Sequence, residues 1–239
     1  VPAQCAEQSD IVLHAATEGV HLSGGKQPTA FFEEVYEPGK EYFAEFSYTH
    51  RLSFFDLRTA DVCTEQPRFY VDEMLPHIGF TPTLRALAED LRGGETNPLL
   101  VARRIYDFIT TNVKYSYMRE YLLMENISEF CAVNRRGDCG VQALLFITLC
   151  RILGIPARWQ SGLSVEPDYV GSHDWAMFYV APYGWLYADP SYGGGAKRRG
   201  DELLCSHYFG NLDPFRMVCA TEVQQPFSPE KLFLRDDPY

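Results

Sequence analysis

The spacing of apolar positions changes along the chain, and the changes divide it. Up to about residue 75 the pattern is one of alternation. It is clearest at Tyr42, Ala44, Phe46 and Tyr48, which a period of two places on one face of a strand. A β-rich N-terminal portion over residues 1–78 is therefore expected. From Thr81 the period lengthens. Thr81-Pro82 supplies an N-cap and a first-turn proline, and Gly93-Gly94 supplies a stop. Asn97-Pro98 repeats the start signal. Val101, Ile105, Phe108 and Ile109 then recur at spacings of three and four, the mark of an amphipathic helix. An extended piece is expected at 113–117, a further helix at 121–130 and a loop at 134–138.

Residues 139–153 differ from everything before them. Val141, Ala143, Leu144, Leu145, Phe146, Ile147, Leu149, Ile152 and Leu153 leave almost no polar face, and Gly154 and Pro156 end the run. A helix that is apolar nearly all round lies in the centre of a domain. Extended segments are expected at 157–163, 173–181 and 185–188, with Pro182-Tyr183-Gly184 as the turn between the last two. Helices followed by an antiparallel meander make an α+β arrangement.

Composition narrows the possible functions. The chain has 239 residues, 46% of them apolar, enough for a sizeable core, and 22% charged, too few for a disordered chain. A formal net charge of -11 argues against a nucleic-acid partner, which needs clustered Lys and Arg. The one basic run, Lys197-Arg198-Arg199, follows Gly193-Gly194-Gly195 and reads as a solvated loop. No apolar run is long enough to span a membrane, so no membrane partner is expected. The seven cysteines are scattered and contain no CxxC, which argues against a structural zinc site. Scattered thiols suit a reducing, cytoplasmic setting better than a secreted disulfide framework. Val1 in place of Met is compatible with a trimmed or processed start.

The chemistry concentrates at the start of the buried helix. Gly137-Asp138-Cys139-Gly140 sets a thiol where a tight loop enters it. A free cysteine has a pKa of about 8.5, and unpaired helix N–H groups or a neighbouring imidazolium lower it. The same N–H groups can stabilise an oxyanion. His173 opens an extended segment in which His173, Trp175, Met177 and Tyr179 share a face. Asp189 ends the next segment, before Pro190. Together Cys139, His173 and Asp189 supply a nucleophile, a base and an orienting carboxylate. Strand register is the open point. A tight turn centred on Tyr183 puts Asp189 near Ala176, so contact with His173 calls for a bulge, strong twist or an asymmetric loop. Cys205-Ser206-His207 lacks a metal-ligand spacing.

In order, Gly137-Asp138-Cys139-Gly140, Gly154-Ile155-Pro156-Ala157-Arg158, His173-Asp174-Trp175, Gly184-Trp185 and Asp189-Pro190-Ser191 resemble the transglutaminase-like superfamily. The resemblance covers roughly residues 81–192. It implies a papain-like, transglutaminase-like core, with Cys on a buried central helix and His and Asp on an antiparallel sheet. It also implies acyl transfer at an amide or peptide bond through a thioester, without a cofactor, on a peptide or protein substrate, with hydrolysis the first reading, crosslinking transfer to an amine the second, and a noncatalytic binding module on the same fold the remaining alternative. Cys139 would be the nucleophile, His173 the general base and acid, and Asp189 the orienting carboxylate. Tyr115 and Tyr117 are candidates for the variable oxyanion donor. Trp175 is the leading candidate among the aromatic residues for lining the cleft. The family often has Ala where this chain has Asp174, a change that a strand places off the His173 face. No calcium-loop pattern and no paired CxxC motifs occur, which points to the compact microbial branch. Many of that branch are regarded as cysteine peptidases, so 79–239 reads as a catalytic domain with a C-terminal extension.

Overall fold

The computed structural model describes residues 1–35, 37–118 and 121–230. The last part of the expected C-terminal extension, 231–239, lies outside them. In chain order the strands and α-helices are β1 (Gln8–Ala16), β2 (His21–Ser23), β3 (Thr29–Phe31), β4 (Ala44–His50), α1 (Pro82–Arg92), α2 (Pro98–Asn112), β5 (Lys114–Tyr115), α3 (Ile127–Asn134), β6 (Arg136–Gly137), α4 (Cys139–Ile152), β7 (Ala157–Glu166), β8 (Tyr169–Val180), β9 (Gly184–Ala188), α5 (Pro190–Arg198), α6 (Glu202–His207), β10 (Phe209–Gly210) and β11 (Arg216–Ala220). This is a mixed α+β fold. Its main sheet has five strands in the order β10-β9-β8-β7-β11.

Two compact units emerge. One comprises 1–52, 160–172 and 214–230; the other comprises 53–159 and 173–213. β7 and β8 each run through both. In the first unit β1 pairs antiparallel with β4, and β11 pairs antiparallel with the second part of β7. The alternation at Ala44, Phe46 and Tyr48 is the half-buried face of β4, with Glu45 and Ser47 exposed. The buried Gln8 side chain ties this unit together. Its Nε2 donates to the carbonyls of Ala3 and Val218, both at 2.8 Å, and its Oε1 accepts from the Val218 N–H.

The second unit contains all the helices among the described residues. Their caps follow the sequence signals. Thr81 Oγ1 accepts from the Leu84 N–H at 3.2 Å, Gly93 closes α1 with φ 52°, and Asn97 caps α2. α4 is buried from Cys139 to Arg151, as an all-round apolar helix must be. Arg151 secures its far end, donating Nε to the Ala157 carbonyl and an Nη to the Asp72 carbonyl, each at 2.8 Å. Phe146 of α4 packs edge-on against Phe178 of β8, with centroids 5.5 Å apart.

Two segments depart from expectation. The helix expected at 121–130 is a single 3-10 turn at Tyr121–Leu123 followed by α3, which Asn126 caps. The basic run Lys197-Arg198-Arg199, expected as a solvated loop, closes helix α5, which also takes in the three glycines before it. Each glycine costs a helix about 1 kcal/mol relative to Ala. The gain is close packing on α2, because a Cβ at Gly193 would collide with the Tyr106 hydroxyl, which donates to the Cys205 carbonyl at 2.7 Å. Gly195 has no such neighbour; its Cβ would meet only the flexible end of Arg199, at 3.4 Å. Opposite effects on stability are therefore expected. Gly193→Ala should destabilise by about 1–3 kcal/mol through overpacking. Gly195→Ala should be neutral or stabilise by up to about 1 kcal/mol. Urea denaturation of the two variants checks both signs.

Candidate active site

Cys139 is the first residue of α4. Asp138, the N-cap, accepts from the Val141 N–H at 3.0 Å and from the Tyr121 hydroxyl. The buried Gln142 amide donates to the Gly137 carbonyl at 2.9 Å and holds the entering loop to the first helical turn. Gly140 is required by close approach. A Cβ there would lie 2.5 Å from the Tyr121 hydroxyl, 2.8 Å from Asp174 Oδ2 and 3.0 Å from the Trp159 ring. The tyrosine at the helix entrance is thus Tyr121, which the sequence reading did not select. Its signal is weak, since it lies beyond the extended piece that carries Tyr115 and Tyr117. Those two are exposed, Tyr117 by 92%.

Asp189 follows the last paired residue of β9 and caps α5. Its Oδ1 accepts from Ser191 Oγ at 2.9 Å and from the Tyr192 N–H at 3.0 Å. Its Oδ2 lies 2.7 Å from His173 Nε2. The β8–β9 register is regular, with Ala176 opposite Ala188 and Val180 opposite Gly184. Asp189 therefore falls opposite Trp175, and His173 is its diagonal neighbour, within reach of an imidazole. The paired residues keep this register without a bulge; in place of the expected irregularity there is a diagonal contact, completed where the chain leaves the strand. Both side chains are buried, Asp189 completely. Tyr192 packs on the imidazole at 4.4 Å between centroids and meets Tyr208 edge-on. Trp175 stacks with the His173 ring at 6.1 Å between centroids and is fully buried, so it supports the histidine from the core and is not exposed to a cleft.

The hydrogen-bonding partner of the Cys139 thiol is Asp174, not His173. Sγ donates to Asp174 Oδ2 at 3.4 Å. Residues of one strand alternate in direction, and Asp174 and Phe178 are the ones that meet α4. The substitution read as lying off the site is therefore in contact with the sulfur. The structure brings together His173 with Asp189, and Cys139 with the neighbour of His173. The thiol is only 8% exposed. Burial pushes its pKa well above that of a free cysteine, and the charges of Asp174 and Asp138 push it the same way. The helix N-terminus, expected to lower it, is outweighed. Burial also raises Asp138, against the hydrogen bonds it accepts from Tyr121 and Val141. All seven cysteines are free thiols. No helix among the described residues is long and apolar enough to cross a membrane.

Comparison with known proteins adds a family to this geometry. Residues 85–190 match the family model described as Transglutaminase-like superfamily. A protein-glutamine gamma-glutamyltransferase from Pseudomonas aeruginosa is 30% identical over 129 residues, which is 49% of this chain and 19% of that protein. The chain thus matches about a fifth of the length of this curated relative. Among solved structures, the periplasmic domain of TgpA from Pseudomonas aeruginosa aligns with a TM-score of 0.45 at 19% identity, covering 80% of this chain and 69% of that one. Red sea bream transglutaminase aligns with a TM-score of 0.32 at 16% identity over 48% of this chain and 25% of that one. The matched segment runs from α1 to the first residue of α5 and includes Cys139, His173 and Asp189. Over residues 85–190 this chain thus matches the core domain of the transglutaminase-like superfamily.

Proposed function

We propose that this protein is a cysteine-dependent acyl-transfer enzyme that cleaves an amide or peptide bond through a thioester on Cys139. The observation that carries the reading is the buried 2.7 Å pair of His173 Nε2 and Asp189, on the strand that packs against the start of α4, where Cys139 sits. With Nε2 engaged by the carboxylate, Nδ1 is the ring nitrogen left to exchange a proton with substrate and thiol. In the first half-reaction the Sγ–C bond forms and the C–N bond breaks. The thiol proton passes through the imidazole to the leaving nitrogen. In the second half-reaction water attacks the thioester. Its hydroxyl stays on the carbonyl carbon, the Sγ–C bond breaks, and its proton returns through the imidazole to sulfur. The tetrahedral oxyanion is stabilised by the backbone N–H of Cys139 at the start of α4, since the next N–H groups of that turn are turned to Asp138.

Hydrolysis of a peptide or protein substrate is the primary reading. Transfer to a primary amine is the second, favoured by the relationship to a protein-glutamine gamma-glutamyltransferase. Water and amines compete for the same thioester, and exclusion of water decides between them. Casein and a glutamine-containing peptide, each with and without a primary amine, separate the outcomes. New casein N-termini indicate peptidase activity. Ammonia release without amine incorporation indicates side-chain hydrolysis, and incorporation indicates transfer. Absence of all three over the range pH 5–9 would overturn the enzyme reading.

A further inference from the structure

Asp189 is accounted for as the partner of His173, but a second buried carboxylate touches the nucleophile. Asp174 is 4% exposed, and its Oδ2 accepts a hydrogen bond from Cys139 Sγ. The same oxygen converges with the Tyr121 hydroxyl on the space that Gly140 leaves open. Among the described residues, the charged and titratable groups set against the sulfur are Asp174 on β8, Asp138 at the cap of α4 and Tyr121 on the preceding 3-10 turn. His173, the residue before Asp174, supplies the imidazole. Tyr121 donates its hydroxyl to Asp138, while the thiol donates to Asp174.

We infer that Asp174 is a latch on the nucleophile: it holds Cys139 as a neutral, hydrogen-bonded thiol in the resting site and competes with His173 for its proton. This extends the reading of Cys139 as the nucleophile, although the latch itself is a property of the thiol alone. No bond to carbon is made or broken. The proton stays on sulfur while Asp174 is ionised and accepting it. It becomes available to the imidazole when the carboxylate is protonated or turns away. A thiolate is the reactive form, so the latch slows reaction at neutral pH. The raised thiol pKa agrees in direction.

Alkylation by iodoacetamide tests this in the full chain. Peptide mass spectrometry follows Cys139 separately from the other six cysteines. In the unaltered protein the alkylation midpoint of Cys139 should lie above the free-cysteine value of about 8.5. In Asp174→Asn, which keeps the shape but removes the charge, the midpoint should fall by about one unit and the rate at pH 7 should rise about tenfold. Asp174→Ala should shift it the same way. If both variants keep the native circular dichroism and neither moves the midpoint, the latch is wrong. A midpoint below the free value in the unaltered protein also overturns it, without need of a variant. If the midpoint behaves as expected but no amide is turned over, the latch stands and the enzyme reading falls.

Discussion

Replacing Cys139 by alanine should abolish amide turnover, by about 10⁴-fold or more, while the fold survives. The reason lies in what the side chain does. In the proposed mechanism the thioester forms on this sulfur, so its loss leaves no route to turnover. The structural cost is small by comparison. Alanine is the best helix former, and Cys139 is the first residue of α4, with the N-cap supplied by Asp138 and not by the thiol. Loss of the sulfur leaves a small void and removes the thiol donor from Asp174 Oδ2. A cost of about 1–2 kcal/mol is expected for such a change. Turnover of casein or of a glutamine peptide, read beside a urea melt, separates the two effects. Unchanged activity in a folded Cys139→Ala protein would contradict the mechanism.

Asp189 should show two separable roles. It orients His173 through Oδ2, and it caps α5 through Oδ1. Asp189→Ala removes both. The lost cap costs about 1 kcal/mol. Leaving the imidazole without its buried acceptor costs about 2 kcal/mol more. The variant should be less stable by roughly 3 kcal/mol, the sum of these two contributions. Asp189→Asn retains an oxygen for the Tyr192 N–H and should lose much less stability. It should still lose activity, by about a hundredfold or more, because a neutral amide neither stabilises the imidazolium nor fixes the useful tautomer. A kcat that falls in both variants, with stability falling mainly in the alanine variant, is the expected pattern. Equal stability loss in both would show that the cap does not matter.

The parts of the fold that could be read from the sequence are those fixed by local patterns. α4 was legible because a helix without a polar face has only one place to go. α1 and α2 were legible because Thr81-Pro82 and Asn97-Pro98 mark their starts and because Thr81 and Asn97 do cap them. The hidden parts depend on contacts distant in sequence. The helix α5 is built across three glycines, whose poor propensity is offset by the approach to Tyr106. The 3-10 turn at Tyr121–Leu123 brings Tyr121 to the helix entrance, a place that spacing from Tyr115 and Tyr117 does not reveal. The grouping of N-terminal strands with part of the β7–β8 hairpin and β11 joins segments that no linear boundary joins.

The residues of the site divide in the same way. Cys139, His173 and Asp189 were legible as residue types in order. The contact between His173 and Asp189 was not, because it is diagonal and depends on where the chain turns into α5. Trp175 was legible as a neighbour of the histidine on its strand face, but its complete burial gives it a supporting role. Asp174 was the least legible. Strand alternation places it away from His173, and that is correct. The face it occupies is the one toward α4, where it meets the sulfur.

The central claim is the acyl-enzyme on Cys139. It is tested most directly by acid-quenching the protein during turnover of a glutamine-containing peptide and mapping the adduct by mass spectrometry. The mechanism predicts a covalent adduct on Cys139, heavier than the free residue by the peptide less one ammonia, and absent from Cys139→Ala. It also predicts that His173→Ala forms the adduct far more slowly. Turnover without any adduct on Cys139, or an adduct on another of the seven cysteines, would contradict it.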